Sequence, residues 1–589
     1  MLVHNRRKKS DTILILAKIA LISLSGLFLI GNFNPYFEGN DAYSYAIATK
    51  LLVDDSIFYS NELLELTGRS EFIPQDHMLT NDGQTALPAG YVGFFGITAL
   101  AYLLGGDYGL FFLGPISGII FLIVSERIST HFFGKYVGLL TLLFLSTNHY
   151  LFRTSLNLQN EAIFTTFFLL GCYFLINFLK NNKKIYLLTA SSFLVFSTAT
   201  RLNGIVSFPV EIIMVMGFFF ILKYHPKFVN KKFKIFPSDL NYSISKKYIL
   251  KILIITIVPW LIFFLFYMIY FGYFFDDPLT THVVVIQGSE NTDKQMSSIL
   301  KLDSKNFENV KQYSKYLLPY QFPRVVDLSE DFSQSTSNFF GDNWLGVIAL
   351  SFLIFLNIVS LKTKSKRLEI IVFSLMIFST VWFFSSVTTE SRAIRGVPGR
   401  YMFPAFTLNY MIIGFAIFQL LYYFKNNFKR VISIPIISFI MFILVLFFIF
   451  AYVFSPPIQA ISNETFQFND PTEFEQRLSL DIQKISTNDV VITLNTYDAL
   501  DYGLIPFNPK MVEYKIREDS FELLQTIDEQ NYNIYIFKNI DWKNKLLYES
   551  LLNKKNISFL DYSPSLCKVI FHENNSESNV NVKTDTTCM

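Results

Sequence analysis

Long apolar runs separated by short polar or basic segments make up most of the chain between residues 12 and 454. A run of about twenty apolar residues is long enough to cross the hydrocarbon core of a membrane as a helix. The pattern predicts about eleven such spans, near residues 12–31, 107–125, 136–150, 161–179, 185–201, 203–222, 252–271, 343–361, 368–387, 402–423 and 431–454. The sequence therefore predicts an α-helical, polytopic membrane protein.

The run from Ala89 to Gly105 is an exception, because it is short and is interrupted by Gly90, Gly93 and Gly96. We interpret it as an interfacial or re-entrant segment, because only then do the basic clusters obey the positive-inside rule. These clusters are Arg127 with Lys135, Lys180 with Lys183 and Lys184, the stretch from Lys223 to Lys251, Lys362 to Arg367, and Lys425 to Arg430. The same count predicts a cytoplasmic N-terminus and an extracytoplasmic C-terminus.

This topology places three polar segments outside the membrane on the extracytoplasmic side. They are the loops 32–106 and 272–342 and the tail 455–589. The tail has the composition of a soluble domain. Its capping box at 470–473 predicts a helix, and the apolar runs near 489–494, 533–537, 557–560 and 568–571 predict strands. We therefore divide the chain into a transmembrane domain, 1–454, and a small C-terminal α/β domain, 455–589.

Composition supports this organisation. The chain has 589 residues, of which 51% are hydrophobic and 16% charged, and a soluble domain of this size does not show such a profile. A net charge of +3 without a basic face argues against a nucleic-acid partner. The three cysteines form neither a zinc motif nor a disulfide framework, although one bridge near the C-terminus stays open.

The predicted topology collects acids and arginines on the extracytoplasmic face. Charged groups at the rim of a span are costly unless they pair or face a wet cavity, so they are candidates for function. A carboxylate can take a proton from a hydroxyl, and arginines can bind a phosphate with two parallel hydrogen bonds. The candidates are Asp41, Asp76, His77, Arg153, Glu161, Arg201, Glu390, Arg400 and Tyr401.

Structural explanations stay open for several of these residues. Asp41 could instead cap the helix that runs through Lys50, and Glu161 is a favourable acid for the first turn of a span. Arg153 could extend to the interface from a membrane helix, and Asp76 with His77 could be a solvated loop pair. Arg201 and Arg400 lie at helix ends on the face that has few basic residues, and therefore require an anionic partner.

The order of motifs resembles GT-C-type glycosyltransferases of the protein mannosyltransferase and aminoarabinose transferase group, the family 39-like enzymes, which use polyprenyl-phosphate sugars. The motifs are Asp41 with Tyr45, 87–91 before the glycine-interrupted run, Arg153 through Glu161, 200–204, and 399–404, followed by the tail. The resemblance implies a GT-C fold, with Asp41 as catalytic base and Glu161 as second acid. It further implies donor phosphate binding by Arg201 and Arg400, to which we add Tyr401 and Arg153, with Asp76, His77 and Glu390 in an acceptor loop.

The implied function is transfer of a single sugar from a dolichyl- or undecaprenyl-phosphate donor to an extracytoplasmic protein or lipid acceptor. The implied setting is the plasma membrane or, in a eukaryote, the endoplasmic reticulum. Many relatives carry two adjacent acids where this chain has Asp41 between Asn40 and Ala42, so dependence on a divalent metal, Mg²⁺ or Mn²⁺, stays open. A Trp-Trp-Asp motif is absent from the sequence, which argues against transfer of a whole glycan to asparagine. The alternatives are a transporter or lipid flippase, and a non-catalytic scaffold.

Overall fold

The computed structural model describes most of the first half of the chain and the strands of the tail. The described residues are 2–33, 39–54, 58–59, 78–83, 85–86, 92–224, 246–276, 310, 366–387, 402–427, 490–493, 511–513, 525, 528–529, 533–537, 557–562 and 566–571. The predicted spans 343–361 and 431–454 lie outside these residues.

The described part of residues 1–454 is helical, as predicted, apart from one small sheet. In chain order the α-helices are α1 (Leu2–Gly31), α2 (Gly39–Asp54), α3 (Val92–Phe133), α4 (Lys135–Ser146), α5 (His149–Leu156), α6 (Glu161–Asn181), α7 (Lys184–Thr200), α8 (Ser207–Tyr224), α9 (Lys246–Phe275), α10 (Arg367–Val387) and α11 (Phe403–Asn427). A 3₁₀ helix, η1 (Leu202–Val206), joins α7 to α8. The small sheet consists of β1 (Phe58–Tyr59), β2 (Met78–Leu79) and β3 (Thr85–Ala86), with β3 antiparallel to both others.

Five helical segments among the described residues are long and apolar enough to cross a membrane: Thr12–Gly31, Val92–Phe133, Glu161–Asn181, Leu202–Phe220 and Lys247–Phe275. Lys135–Ser146 and Phe403–Gln419 are shorter apolar helices. These helices confirm an integral, multi-pass membrane protein, whereas the total of about eleven spans stays a prediction.

Helix α3 contains a sharp break. Gly106 has φ 60° and ψ −144°, a conformation that a residue with a side chain rarely adopts. A Cβ atom built at Gly109 would lie 2.0 Å from the carbonyl oxygen of Ala101, so the chain folds back at this point. Helix α3 is therefore two helices, 92–105 and 107–133, in close contact.

We define the Arg201 end of the bundle as the end where α6 begins and α7 finishes. The helix 92–105 lies at this end along its whole length, because Val92 packs on Phe271 near the end of α9 and Ala101 contacts Gly109. At 1.5 Å per residue the helix is about 21 Å long, less than the roughly 30 Å of a hydrocarbon core. The helix 92–105 is thus too short to cross a membrane by itself, and its assignment as an interfacial or re-entrant segment stays a prediction.

The predicted span 136–150 forms two helices instead of one. Helix α4 ends at Ser146, and α5 starts after Asn148, whose side-chain oxygen accepts a hydrogen bond from the backbone N–H of Leu151 at 3.1 Å. Such a cap favours a new helix over continuation of the old one. The apolar run hid this break, because hydropathy does not detect a single capping asparagine.

Two ion pairs in which the acid is buried join helices away from the Arg201 end. Lys18 of α1 pairs with Glu126 of α3, and both side chains also contact the hydroxyl of Thr130. At the far end of α6, Lys180 Nζ lies 2.6 Å from Glu369 Oε1 of α10. Buried charges require such partners, so these pairs fix how the helices dock.

The described residues of the tail include a five-stranded sheet in the order β5-β4-β6-β8-β7. Its strands are β4 (Val490–Thr493), β5 (Met511–Glu513), β6 (Ile534–Phe537), β7 (Ile557–Asp561) and β8 (Leu566–Phe571). The β4 strand pairs in parallel with β5 and β6, whereas β8 is antiparallel to β6 and β7. Four strands lie where the sequence predicts them, and β5 was not predicted. Cys567 on β8 is disulfide-bonded.

Candidate active site at the Arg201 end of the bundle

Glu161 is the first residue of α6 and is fully buried. An acid in the first turn is stabilised by the N–H groups that lack partners at the start of a helix. The preceding residue, Asn160, is also fully buried and occupies the N-cap position without capping through its side chain. Two polar side chains are therefore available for other contacts at this buried helix start.

Arg201 reaches this pair from the end of α7. Its backbone is extended, with φ −158° and ψ 118°, so the chain leaves α7 there before η1 begins. Its Nη1 donates to Glu161 Oε1 at 2.5 Å and to Asn160 Oδ1 at 2.7 Å. The Nδ2 of Asn160 in turn donates to the carbonyl oxygen of Thr200 at 3.0 Å. These bonds connect the start of α6 to the end of α7.

The Arg201–Glu161 ion pair is almost completely shielded from solvent. The side chains of Arg201 and Glu161 are 6% and 0% exposed. Removing two charges from water is costly, and the cost is offset only by close geometry and additional hydrogen bonds. Because arginine stays charged in proteins, its buried guanidinium is a fixed positive group at this end of the bundle.

Asp41 lies in the first turn of α2, which begins at Gly39. Asp41 is therefore inside the helix instead of capping it. The structure describes the backbone of Asp41 but not its side chain. Asp41 and Glu161 are on separate helices, and their approach to one cavity stays a prediction.

Helix α2 is held against the helix 92–105. The buried ring of Tyr45 meets Phe94 edge to face, with centroids 4.9 Å apart. One turn later, the buried hydroxyl of Thr49 donates to that of Thr98 at 2.6 Å. These contacts connect the helix that carries Asp41 to the helix 92–105.

The start of the helix 92–105 also lies close to the end of α7 that precedes Arg201. A Cβ atom built at Gly93 would lie 2.9 Å from Ala199 Cβ and 3.0 Å from its carbonyl carbon. Ala199 is in the last turn of α7, immediately before Thr200 and Arg201. The same short helix therefore contacts both α2 and the last turn of α7.

The remaining predicted site residues are only partly described. Arg153 is on α5, and its side chain is outside the described part. Asp76, His77, Glu390, Arg400 and Tyr401 lie outside the described residues altogether. Their roles stay predictions. Of the predicted set, the structure thus brings Glu161 and Arg201 together and leaves the others untested.

Sequence reasoning did not assign roles to Asn160 and Thr200, which complete the contacts of Arg201. The available signal was their position, because each directly precedes a predicted site residue. Within the described residues, no group of three or more His, Cys, Asp or Glu side chains could hold a metal ion.

Comparison with known proteins relates this region to a family of transferases. Residues 90–237 match the family model described as dolichyl-phosphate-mannose-protein mannosyltransferase. This match covers about a quarter of the chain and includes Glu161 and Arg201. No curated protein matches the chain.

Solved structures match nearly the whole chain. The archaeal oligosaccharyltransferase AglB from Archaeoglobus fulgidus, in complex with an inhibitory peptide and a dolichol-phosphate, has 10% sequence identity and a TM-score of 0.52, covering 97% of this chain and 75% of its own. ArnT from Cupriavidus metallidurans, bound to undecaprenyl phosphate, has 10% identity and a TM-score of 0.49, covering 94% of this chain and 97% of its own.

The likeness to the archaeal structure shows the fold. This chain has the helical membrane fold of GT-C glycosyltransferases, as the sequence resemblance implied. Together with the family match, this confirms the predicted resemblance to GT-C glycosyltransferases that use polyprenyl-phosphate sugars.

Proposed function

We propose that the protein is a membrane glycosyltransferase that moves one sugar from a polyprenyl-phosphate donor to an extracytoplasmic protein or lipid acceptor. The observation that carries the proposal is the buried Glu161–Arg201 pair, which lies at the end of the bundle that also holds α2 with Asp41. The family match to mannosyltransferases over 90–237 covers this pair and supports the assignment.

The proposed reaction needs a base and a phosphate-binding group. Asp41 accepts the proton of an acceptor hydroxyl, whose oxygen attacks the anomeric carbon of the sugar. The bond from that carbon to the phosphate oxygen breaks, and the polyprenyl phosphate leaves with the electron pair. Attack opposite the leaving group inverts the anomeric configuration.

Arginines bind the phosphate that departs. A guanidinium presents five N–H donors in a planar fork, and Nη1 of Arg201 supplies two hydrogen bonds to Glu161 and Asn160. These bonds orient the guanidinium, so that Arg201 acts as a preorganised positive group without rearrangement during transfer. In the proposal Arg400, Tyr401 and Arg153 complete the phosphate site, and Asp76, His77 and Glu390 contribute to an acceptor loop.

The donor class follows from chemistry and from the fold. The archaeal protein with the same fold binds a dolichol-phosphate and an inhibitory peptide in its solved complex. A polyprenyl phosphate places an anionic head group at the membrane surface, where a buried arginine at a bundle end can meet it. We therefore propose a dolichyl- or undecaprenyl-phosphate sugar as donor.

A transfer assay tests the function. Membranes that contain the overexpressed protein receive a panel of radiolabelled polyprenyl-phosphate sugars, and label is scored in protein and in lipid. Parallel reactions with EDTA, Mg²⁺ or Mn²⁺ test for metal dependence. The proposal predicts label transfer with one donor, absent from membranes without the protein. Movement of a donor across the bilayer without transfer from any of them would instead indicate a flippase.

A further inference from the structure

We propose that the helix 92–105 sets the distance between Asp41 and Arg201, with Gly93 as a positioning residue. This inference rests on the proposed function, because the distance matters for transfer between a base and a phosphate-binding group. The helix touches neither the donor nor the acceptor in the proposal. It acts through α2 on one side and through the last turn of α7 on the other.

The contact between Gly93 and α7 leaves no space for a larger side chain at Gly93. At Gly93 an added Cβ would meet three atoms of Ala199 at 2.9, 3.0 and 3.2 Å, two of which belong to the backbone. Backbone atoms of a helix cannot rotate away as a flexible side chain can. Any side chain larger than hydrogen at Gly93 must therefore push α7 and the helix 92–105 apart, and Arg201 directly follows this turn of α7.

The contact with α2 is equally specific. Tyr45 and Thr49 are one turn apart on α2, and they contact Phe94 and Thr98, which are one turn apart on the helix 92–105. All four side chains are buried. An edge-to-face ring pair and a hydroxyl hydrogen bond fix both the spacing and the register of the two helices.

Both contacts fall within six residues of one helix, from Gly93 to Thr98. At 1.5 Å per residue this is a rise of about 8 Å, too short for bending to absorb a shift at one end. A displacement at Gly93 is therefore transmitted to α2, and with it to Asp41. Misplacement of reacting groups by about 1 Å can lower a rate roughly 100-fold.

Gly96 provides a matched control on the same helix. A Cβ atom built at Gly96 meets no atom within 4 Å. Both glycines lie in the helix 92–105, and Gly93→Ala and Gly96→Ala differ in the contact with Ala199. A second variant, Gly93→Ala with Ala199→Gly, removes the closest of the three contacts but leaves the two backbone contacts at 3.0 and 3.2 Å, so it should restore the spacing in part.

The experiment measures kcat, donor KM and thermal stability for these variants in the transfer assay. We expect Gly93→Ala to lower kcat roughly 10- to 100-fold with donor KM changed less than about threefold. Gly96→Ala should stay within about twofold of the parent in both constants, and the double variant should recover part of kcat. Equal kcat for the two single variants, or a loss at Gly93 that Ala199→Gly does not relieve, would overturn the inference.

A distance measurement separates this inference from the proposed function. Spin labels on cysteines introduced at Leu52 of α2 and Phe196 of α7, two exposed positions, report the spacing of these helices. The label separation should shift in Gly93→Ala and not in Gly96→Ala. If the parent protein transfers no sugar, the proposed function fails. An unchanged separation in Gly93→Ala means that the helix does not set the spacing.

Discussion

Glu161 and Arg201 are 40 residues apart in the chain, and the Oε1 atom of the first lies 2.5 Å from the Nη1 atom of the second in a buried ion pair. Each residue ends or begins a helix, so the pair holds the end of α7 against the start of α6. The pair therefore combines two roles that mutation can separate. It stabilises the bundle, and in the proposal it orients the guanidinium toward a phosphate.

The first prediction concerns Arg201→Lys. Lysine keeps the positive charge but cannot donate to Glu161 and Asn160 in the fork geometry of a guanidinium. We expect donor KM to rise about tenfold, equivalent to about 1.4 kcal/mol, the scale of one charge-assisted hydrogen bond. The free energy of unfolding should fall by about 1–3 kcal/mol, because buried hydrogen bonds are lost.

Arg127→Lys is the control for this change, because Arg127 is on α3 with its side chain 82% exposed. It should alter neither donor KM nor thermal stability measurably. If Arg201→Lys lowers stability but leaves donor KM at the parental value, the pair is a structural clamp and the phosphate is bound elsewhere.

The sequence predicted this pair only in part. It predicted Glu161 at the start of a span and Arg201 after the end of another, because both interrupt clear apolar runs. It did not predict that they pair with each other. Hydropathy assigns residues to one end of a bundle but does not state which helices are neighbours there, and this depends on packing between distant segments.

The fold was predictable to a similar extent. The spans 161–179, 185–201 and 368–387 correspond to α6, α7 and α10 within two residues at each end. The sequence separated the run 89–105 from the span 107–125, so the boundary at Gly106 was predicted, whereas the positive φ of Gly106 was not. The Lys18–Glu126 pair was missed because an average of hydropathy over a long apolar run does not detect a single charged residue in or beside it.

The second prediction is that Lys18 and Glu126 contribute stability as a unit. Lys18→Met or Glu126→Gln alone leaves a buried polar group without its partner and should destabilise the protein by about 3–5 kcal/mol. The double variant Lys18→Met, Glu126→Met should cost less than the sum of the single changes, because no unpaired charge remains.

Thermal unfolding in detergent measures these effects, with Arg127→Met as the control. The Nε atom of the exposed Arg127 lies 3.8 Å from the Oε2 atom of the buried Glu126, and because the guanidinium is in solvent this contact should contribute about 0–1 kcal/mol. Additive costs for Lys18 and Glu126 would show that the two side chains do not act as a pair.

The third prediction concerns the side of the membrane that carries the tail. Cys567 on β8 is disulfide-bonded, whereas Cys172 is a free, buried cysteine of α6. Disulfides persist in oxidising compartments outside the cytoplasm. We therefore expect Cys567 in intact cells to resist alkylation until a reductant is added, and the tail to be cleaved by external protease. Labelling of Cys567 without reductant, together with cleavage only after permeabilisation, would place the tail in the cytoplasm.

The last prediction is that Asp41→Asn abolishes transfer while the protein still folds and binds donor. Asp41 lies inside the first turn of α2, where a negative charge contributes about 0.3–1 kcal/mol through the helix dipole. A positioned general base contributes about 10²- to 10⁴-fold to the rate, roughly 3–5 kcal/mol of barrier. Asparagine has nearly the same shape but cannot take the proton of the acceptor.

Asp82→Asn is the matched control for that experiment, because Asp82 is an exposed acid in the turn between β2 and β3. We expect Asp41→Asn to lose transfer at least roughly 100-fold with donor KM and thermal stability near the parental values, and Asp82→Asn to behave as the parent. Since a lost dipole interaction lowers stability without removing a proton acceptor, the rate and stability measurements distinguish the two roles. Transfer near the parental rate in Asp41→Asn would mean that Asp41 is a structural acid of α2 and that another group removes the acceptor proton.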